Sequence, residues 1–437
     1  MRFFINSFFC ICVIFLAACS KRNIIELQLR QQDGYGNLPS SSVGISPYAE
    51  TENNPWEKTY LLVTGVPENW TNIKYGDIET NIYQSVYQDF IAGNITEEFY
   101  LKLQKSWDWK PDTLELSKEP LRTKIAFAVG ENSLGILNVI VDANNNLDFT
   151  DDKAFVPFNY EPSKMTNIDS IALNKTINVS FERYIHNKKH FITAPLFMAQ
   201  VGKQGMLLGN FPQHSITDFK GKKIVISSDG FTNLSYKNIN VAVVGDTIKA
   251  EEKINPNLLI AKNEFVEVKG KIYKNIGVNT NKNALMLEKV STPKSELHST
   301  QIGYKSFEFE GNDFTSAADV SSNNLKGKYV LLDFWAVWCA PCLQEFPHLK
   351  KLYDNTDRKK FEIIGVIGDS PSKAIKKVIE KHSIVWPQIL STDFNKIKEV
   401  YGVYGYPMTF LLDPEGVIIA KNLRGKELEE KVLGLID

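Results

Sequence analysis

Cysteines occupy only the two ends of this chain, and their positions limit what it can fold into. The 437-residue sequence contains 5 cysteines. Three stand at positions 10, 12 and 19 and two at 339 and 342, with none between positions 19 and 339. A scaffold stapled by many disulfides is therefore excluded, and the long central region must be stabilised by the packing of apolar side chains.

Length and composition describe a folded protein of more than one domain. At about 150 residues per domain, the length accommodates two or three domains. The sequence is 43% hydrophobic and 23% charged, which excludes wholesale disorder. Its 50 basic and 51 acidic residues give a net charge of -1. Because binding of nucleic acid needs a concentrated positive surface, no nucleic-acid partner is expected.

The N-terminus has the pattern of an export signal. A mostly apolar run over residues 3–18 would span about 24 Å as a helix, short of the roughly 30 Å hydrocarbon core of a bilayer. The run ends in Leu16-Ala17-Ala18-Cys19, which resembles the lipobox of bacterial lipoproteins. A signal peptide or short anchor that merely contains cysteines is the alternative.

The lipobox resemblance implies a signal peptide over residues 1–18 and a lipid on Cys19. Cys10 and Cys12 would then be removed with the signal. Ser20 at the next position favours sorting to the outer membrane. We therefore expect a protein of the bacterial cell envelope that is anchored by a lipid and faces the periplasm.

The rest of the chain divides into three stretches. Residues 19–55 are expected to be a lipid-anchored flexible linker, because they are rich in Gly, Ser, Pro and Asn from position 31 onward. Residues 56–292 combine helical spacing between positions 77 and 109 with many short strand patterns, which predicts a mainly β (α+β) region. One interpretation divides this region into two subdomains that meet near residue 195.

Strands and helices alternate over residues 300–437, which predicts an α/β domain with a central sheet. The predicted strands are Tyr329–Trp335, Phe361–Ile367, Met408–Leu412 and Val417–Lys421. The predicted helices are Ala340–Tyr353, Pro371–His382, Phe394–Tyr401 and Lys426–Leu435. The expected architecture is therefore multidomain, with a β-rich N-terminal region followed by an α/β domain.

The paired cysteines fall where the first of these strands gives way to a helix. Trp338-Cys339-Ala340-Pro341-Cys342 places the first thiol at the helix N-terminus, where unpaired N–H groups and the helix dipole stabilise a thiolate. Lowering the pKa of a thiol from about 8.5 to about 7 corresponds to about 2 kcal/mol. Cys339 is thus the expected nucleophile, and Cys342 can resolve the mixed disulfide that it forms.

Two other interpretations of this motif are open. A CxxC can be half of a zinc site, but the mature chain has no second cysteine pair to complete four ligands. The pair can also be an inert structural disulfide, for which a helix start is an unusual location. A redox-active disulfide, which needs no other cofactor, is the favoured interpretation.

The motif and its surroundings resemble the TlpA/ResA-like, membrane-associated branch of the thioredoxin superfamily. The resemblance covers roughly residues 303–437. The segments that carry it are the strand and turn over 333–342, Glu345-Phe346-Pro347, the segment from Tyr404 to Phe410, and Arg424-Gly425-Lys426-Glu427. It implies a thioredoxin fold and thiol-disulfide oxidoreductase activity.

The resemblance also implies roles for individual residues. Asp333 matches the buried carboxylate that relays a proton to or from Cys342, the alternative being a structural aspartate held by backbone donors. Pro407 matches a cis-proline that faces the cysteines, and the backbone of Tyr406 would pair with a client peptide. Trp338 would form an apolar rim. Glu345 matches a glutamate near the active site, although a solvent-facing helix residue would look the same.

A weaker pattern lies in the β-rich region. Asp142, Asn144, Asn146 and Asp148 place oxygen atoms at alternating positions after a predicted strand, as a calcium loop requires. Leu147 stands where an EF-hand has glycine, and Lys153 stands where it has glutamate. The alternatives are therefore a calcium loop and an Asn/Asp-rich turn.

Together these patterns predict a membrane-tethered periplasmic thiol-disulfide oxidoreductase that reduces or isomerises disulfides of envelope proteins. Its expected partners are client proteins with disulfides, an upstream membrane or periplasmic thiol reductant, and the membrane itself through the N-terminal lipid. The alternative is a binding or assembly lipoprotein whose thioredoxin domain serves mainly for docking of a partner.

Overall fold

Strands dominate the chain up to residue 289. A computed structural model describes residues 23–161, 168–202, 206–245 and 252–436. The strands of this first part are β1 (Ile24–Gln28), β2 (Arg30–Asp33), β3 (Val43–Ile45), β4 (Thr71–Glu79), β5 (Lys124–Glu131), β6 (Leu137–Val141), β7 (Phe158–Tyr160), β8 (Ile177–Ile185), β9 (Lys188–Val201), β10 (Met206–Asn210), β11 (Gln213–Phe219), β12 (Lys222–Ser228), β13 (Ile239–Val244), β14 (Phe265–Val268), β15 (Lys271–Asn279) and β16 (Ala284–Lys289). Its helices are α1 (Ile82–Ile91), α2 (Glu97–Ser106) and α3 (Ile168–Leu173).

The β-rich region is layered because its central sheet is apolar on both faces. Strands β13, β12, β11 and β2 form this antiparallel sheet in that order. Ile224 and Ile226 point into one core, shared with the sheet β1–β16–β15–β14. Val225, on the opposite face of β12, packs with Phe197 of β9. The alternation of side chains along one strand thus buries two surfaces at once.

The predicted flexible linker is wrong for residues 24–45, which are built into three sheets. β1 pairs with β16, so that Leu27 lies opposite Leu285. β2 pairs with β11 and β3 pairs with β10, both antiparallel. The polar composition of this stretch is typical of a spacer, but its backbone hydrogen bonds go to strands far away in the sequence. A composition argument cannot detect such partners.

The predicted subdomain boundary near residue 195 is also wrong. Pro195 lies inside β9, opposite Asn178 of β8. β9 continues without a break through this proline and pairs with β10 from Phe197 onward. Proline, which has no N–H to donate, thus stands close to the point where β9 exchanges one partner for another. The remaining strands form the antiparallel sheet β4–β5–β6.

The helical pattern predicted between positions 77 and 109 corresponds to two helices. Asn81 caps α1 by accepting the Gln84 N–H, and Thr96 caps α2 by accepting the Phe99 N–H at 3.2 Å. Such caps satisfy N–H groups that have no partner inside the helix. The two helices share an aromatic cluster in which the rings of Phe90 and Tyr100 stack at 4.1 Å.

The C-terminal part is the α/β domain that the alternation predicts. Its strands are β17 (Glu310–Asn312), β18 (Asp319–Ser321), β19 (Tyr329–Trp335), β20 (Phe361–Ile367), β21 (Gln388–Leu390), β22 (Met408–Leu412) and β23 (Ile418–Lys421). Its helices are α4 (Ala340–Asp354), α5 (Ser372–His382), α6 (Ile397–Val400) and α7 (Gly425–Ile436). The central sheet has the order β21–β20–β19–β22–β23.

Burial on both faces of this sheet explains its apolar strands. β19 is parallel to β20 and antiparallel to β22. Trp335 of β19 packs in one core with α4, α5 and α7, whereas Phe334 packs on the opposite face with α6. The multidomain fold class, with a strand-rich first part and a thioredoxin-like α/β domain, is confirmed. None of the helices in the described ranges is both long enough and apolar enough to cross a bilayer.

The β-rich region and the α/β domain contact each other through hydrogen bonds and a pair of stacked rings. Gln301 hydrogen-bonds both backbone groups of Phe265, at 2.7 and 2.9 Å, and thereby covers the outer edge of β14. The Phe265 ring stacks on Tyr304 at 5.1 Å. Asn257 bonds the Lys421 carbonyl and the Asn422 side chain. The β-rich region is therefore docked against the β23 side of the α/β domain.

Candidate active site

The paired cysteines lie at the start of α4, directly after the central strand β19. Cys339 occupies the N-cap position, and its Sγ accepts the Cys342 N–H at 3.2 Å. The two sulfurs form a disulfide, with the Cα atoms 5.3 Å apart. Cys339 is 4% exposed and Cys342 2% exposed. The first cysteine therefore lies where helix N–H groups can stabilise a thiolate once the disulfide is reduced.

Asp333 lies in β19, six residues before Cys339, and is 4% exposed. No group among the described residues hydrogen-bonds its carboxyl. The pKa of Asp333 is raised to about 7, mainly by burial and also by the carboxylate of Glu345, and the Arg424 guanidinium opposes both effects. A carboxyl group without backbone donors and with a pKa near neutrality can both take up and release a proton at neutral pH.

The loop before β22 lies against Trp338, the residue next to Cys339. The Tyr406–Pro407 peptide bond is cis, in agreement with the isomer that the resemblance implied. β22 begins to pair with β19 only at Met408, and the backbone of Tyr406 makes no hydrogen bond to any other described residue. Its N–H and C=O groups are therefore available to an extended peptide.

Trp338 forms a rim beside this loop. Its side chain is 62% exposed, and its ring meets that of Tyr406 edge to face at 5.6 Å. Phe334 and Trp335, by contrast, are completely buried. The exposed tryptophan gives an apolar surface beside the otherwise buried disulfide, which suits contact with a client peptide.

Asp369 organises this rim, and sequence reasoning missed it. Its backbone carbonyl accepts the Trp338 indole N–H at 3.1 Å, and its carboxylate accepts the Tyr406 hydroxyl at 2.9 Å. Lys398 donates to the same carboxylate at 2.7 Å. This hydrogen bond from Lys398 is the main reason why the pKa of Asp369 lies below its usual range. The only local signal was a polar residue two positions after a strand.

Gly368, next to Asp369, makes room for the Tyr406 hydroxyl. A Cβ atom on this glycine would lie 1.9 Å from the Tyr406 hydroxyl oxygen. The phenol could not keep its bond to Asp369 beside any larger side chain. The glycine therefore allows the close approach of two loops that are distant in the sequence.

Glu345 is half-buried and does not merely face solvent. Its Oε2 accepts the Gly425 N–H at 3.0 Å, which ties α4 to the start of α7. From there its charge contributes to the raised pKa of Asp333. The role that the resemblance gives to Glu345 stays a prediction, but the residue lies close enough to act on the buried aspartate electrostatically.

The predicted calcium loop follows β6 in the β-rich region. Cys19 is outside the described residues. In the predicted calcium loop, the carboxylate of Asp142 accepts the N–H groups of Asn146 at 3.0 Å and Leu147 at 2.9 Å, and Asp148 accepts that of Thr150. These are the contacts of an Asn/Asp turn. The described part of the chain contains no group of three or more metal-binding side chains, and calcium binding stays a prediction.

Comparison with known proteins places this geometry in a family. The AhpC/TSA family matches residues 302–421. The thiol-disulfide oxidoreductase ResA of Bacillus thuringiensis strain Al Hakam is 31% identical over 136 residues, which are 31% of this chain and 77% of the relative. ResA of Bacillus subtilis strain 168 is 32% identical over 105 residues, 24% of this chain and 58% of the relative.

A solved structure gives a match of similar extent. The thioredoxin domain of a thiol-disulfide oxidoreductase from Bacteroides vulgatus is 38% identical. The match covers 32% of this chain and all of that domain, with a TM-score of 0.30. The family assignment rests on the matches to the AhpC/TSA family and to ResA. Through its C-terminal thioredoxin-like domain, this chain belongs to the ResA-like thiol-disulfide oxidoreductases.

Proposed function

We propose that this oxidoreductase is a membrane-tethered, periplasm-facing enzyme that reduces or isomerises disulfides of envelope proteins. The observation that carries the proposal is the disulfide of Cys339 and Cys342 at a helix N-terminus, beside the buried carboxyl of Asp333 and the unpaired backbone of Tyr406. This arrangement supplies a nucleophile, a resolving thiol, a proton acceptor and a peptide-binding edge.

The reaction follows from these positions. In the reduced enzyme the Cys339 thiolate attacks one sulfur of a client disulfide. A mixed disulfide forms, and the other client sulfur leaves as a thiolate that takes a proton from solvent. Cys342 then gives its proton to the Asp333 carboxylate and attacks Cys339 Sγ, which releases the second client sulfur.

Atoms and electrons balance over the cycle. The second client thiolate receives the proton held by Asp333, so that the client gains two electrons and two protons in all. The enzyme is left with the Cys339–Cys342 disulfide, which is the state of this structure. An upstream dithiol reductant must return two electrons before the next turnover. One of its protons goes to Cys342 and the other to solvent, so that Cys339 is again a thiolate.

Reduction or isomerisation is favoured over oxidation by the residues between the cysteines. Ala340-Pro341 contains no histidine, the residue that stabilises the thiolate in strongly oxidising relatives. Without that stabilisation the reduced form remains the better electron donor. Client disulfides are therefore the proposed electron acceptors.

Trapping of the mixed disulfide tests this proposal. In Cys342→Ser the resolving thiol is missing, and we expect clients to remain joined to Cys339 through a bond that reductant cleaves. Non-reducing electrophoresis followed by mass spectrometry measures these adducts in cells that express the full chain. The double variant Cys339→Ser/Cys342→Ser is the matched control. Equal adducts in the two variants, or no adducts in the single variant, would contradict the proposal.

The membrane tether is proposed from the lipobox, and the fold changes its expected consequence. Only residues 20–23 separate Cys19 from β1, because the stretch predicted as a spacer belongs to the sheets. A lipid on Cys19 would therefore hold the β-rich region close to the membrane surface. The α/β domain would in turn be held by its docking against that region.

Labelling with radioactive palmitate tests the tether. Wild-type chain expressed in a Gram-negative host is expected to incorporate label, whereas Cys19→Ala is expected to lose it completely. Cys10→Ala, which changes a cysteine inside the apolar run, should keep the label and serves as the control. Unlabelled wild-type protein would remove the lipid anchor from the proposal.

A further inference from the structure

The turn between β23 and α7 forms hydrogen bonds to three parts of the active site. Arg424 Nη2 donates to the carbonyl oxygen of Pro407 at 2.5 Å. The next residue, Gly425, donates its N–H to Glu345 of α4 at 3.0 Å. The preceding residue, Leu423, accepts the Thr409 hydroxyl at 3.0 Å. A single turn thus contacts the cis-proline loop, the cysteine helix and strand β22.

These contacts surround the buried carboxyl of Asp333. Thr409 is the residue directly opposite Asp333 in the pairing of β19 with β22. Glu345 brings a second negative charge to the same place, and Arg424 is the cation that counteracts it. Two carboxyl groups and one guanidinium therefore interact around a buried residue of β19, where screening by water is weak.

Only part of the Arg424 guanidinium forms hydrogen bonds while Cys339 and Cys342 are joined in a disulfide. Its Nη2 makes a charge-assisted hydrogen bond to Pro407. Its Nε is buried and has no partner among the described residues. A buried N–H without an acceptor is unfavourable, because it has lost its hydrogen bonds to water. Packing of the domain does not by itself require this unpaired N–H group. Its presence is consistent with a role of Arg424 in the reaction.

We propose that Arg424 is a positioning residue of thiol-disulfide exchange, which holds the Pro407 carbonyl in place and supplies the positive charge that balances the buried carboxyl of Asp333. The inference rests on the proposed function, in which Asp333 accepts the proton of Cys342. Arg424 touches neither sulfur and acts through these two neighbours. Its charge favours the ionised form of Asp333, the form that can take the proton.

Release of coloured thiolate from the aryl disulfide of thionitrobenzoate separates the two steps of the reaction. Cys10, Cys12 and Cys19 are first changed to alanine, so that Cys339 and Cys342 carry the only thiols of the full-length chain. When this reduced chain meets the reagent, the first thiolate leaves as Cys339 attacks, and the second leaves as Cys342 resolves the mixed disulfide. The rate of the second release, measured against pH, reports the group that accepts the proton of Cys342. Two substitutions at position 424 separate charge from hydrogen bonding.

Arg424→Gln keeps a side-chain donor for Pro407 but removes the charge, and its pH midpoint for the second release is expected to rise by about one pH unit. Arg424→Lys keeps the charge, and its midpoint should stay at the wild-type value. In an Asp333→Asn background, Arg424→Gln should cause no additional shift. Lys426→Gln removes an exposed charge two residues away and is the matched control.

The outcomes separate this inference from the proposed function. If Arg424→Gln has the wild-type midpoint, if lysine and glutamine shift it equally, or if the shift persists without Asp333, the role of Arg424 is overturned while the enzyme remains active. If the wild-type chain itself releases no second thiolate, or Cys342→Ser still does, the proposed exchange mechanism fails, and the role of Arg424 fails with it.

Discussion

Replacement of Cys339 by serine is expected to lower the rate of insulin disulfide reduction at least about 100-fold. Serine has nearly the same size as cysteine but cannot form a disulfide with a client. It is also a favourable N-cap, so its hydroxyl can accept the Cys342 N–H that Cys339 Sγ accepts now. The start of α4 should therefore be preserved, and the loss should be chemical rather than structural.

The measurement compares turbidity of insulin in dithiothreitol with wild type, Cys339→Ser and no protein. Circular dichroism of the variant checks that α4 and the rest of the fold are retained. Equal rates for the variant and the wild type would show that this cysteine pair does not catalyse disulfide reduction. The thioredoxin domain would then be interpreted as a docking module for a partner protein.

Asp333→Asn is expected to stabilise the chain above pH 7 while slowing resolution of the mixed disulfide by about 100-fold. The folded state holds the Asp333 proton up to a pKa of about 7, whereas the unfolded chain releases it near pH 4. Between these values the unfolded state binds fewer protons, so the free energy of unfolding falls by about 1.4 kcal/mol for each pH unit.

Asparagine does not titrate, so the free energy of unfolding of the variant does not fall as the pH rises. The variant should therefore exceed wild type by about 2–4 kcal/mol at pH 8 and by close to nothing at pH 4. Urea unfolding of the oxidised proteins at both pH values measures the difference. A stability difference that is the same at pH 4 and pH 8 would contradict the raised pKa of Asp333.

Asp313→Asn is the matched control, because this aspartate is also buried but has the opposite electrostatic setting. Burial raises the pKa of Asp313, but hydrogen bonds from Ser316 and Thr315 outweigh this effect and hold the pKa below its usual range. Its carboxylate also accepts the Gln388 N–H at 2.8 Å. Asparagine there should lower the free energy of unfolding by about 1–3 kcal/mol at pH 8. At pH 8 the free energy of unfolding should fall on substitution at position 313 and rise on substitution at position 333. This difference would distinguish a hydrogen-bonded aspartate from one without partners.

The α/β domain was predictable because its elements are encoded locally. β19, β20 and β22 have the bounds that their apolar runs predicted, and α4 differs by one residue at its end. Strands with both faces buried are continuous apolar runs, and the glycine and proline residues between them mark their ends. The redox pair was equally visible, since a CxxC at the junction of strand and helix combines a nucleophile with the dipole that activates it.

The N-terminal strands were not predictable in the same way. β1 and β2 contain several polar residues, and their partners β16 and β11 lie far along the chain. What makes them strands is the row of backbone hydrogen bonds and, in β1, an apolar face formed by Ile25 and Leu27. Neither is visible in local composition. Local sequence likewise predicts a boundary at Pro195, because the pairing of β9 on both sides of this proline depends on distant strands.

The chemistry of the site can be predicted from local sequence: two thiols at a helix start, an aspartate in the preceding strand, and a proline before β22. The groups that control this chemistry become visible when the chain is folded. Asp369 and Lys398 belong to no motif, and the family-like segment at Arg424 gives that residue no role. The fold brings these residues to Trp338, Tyr406 and Pro407. Their effects depend on distance and burial, because electrostatic interactions and hydrogen bonds act through space and not along the chain.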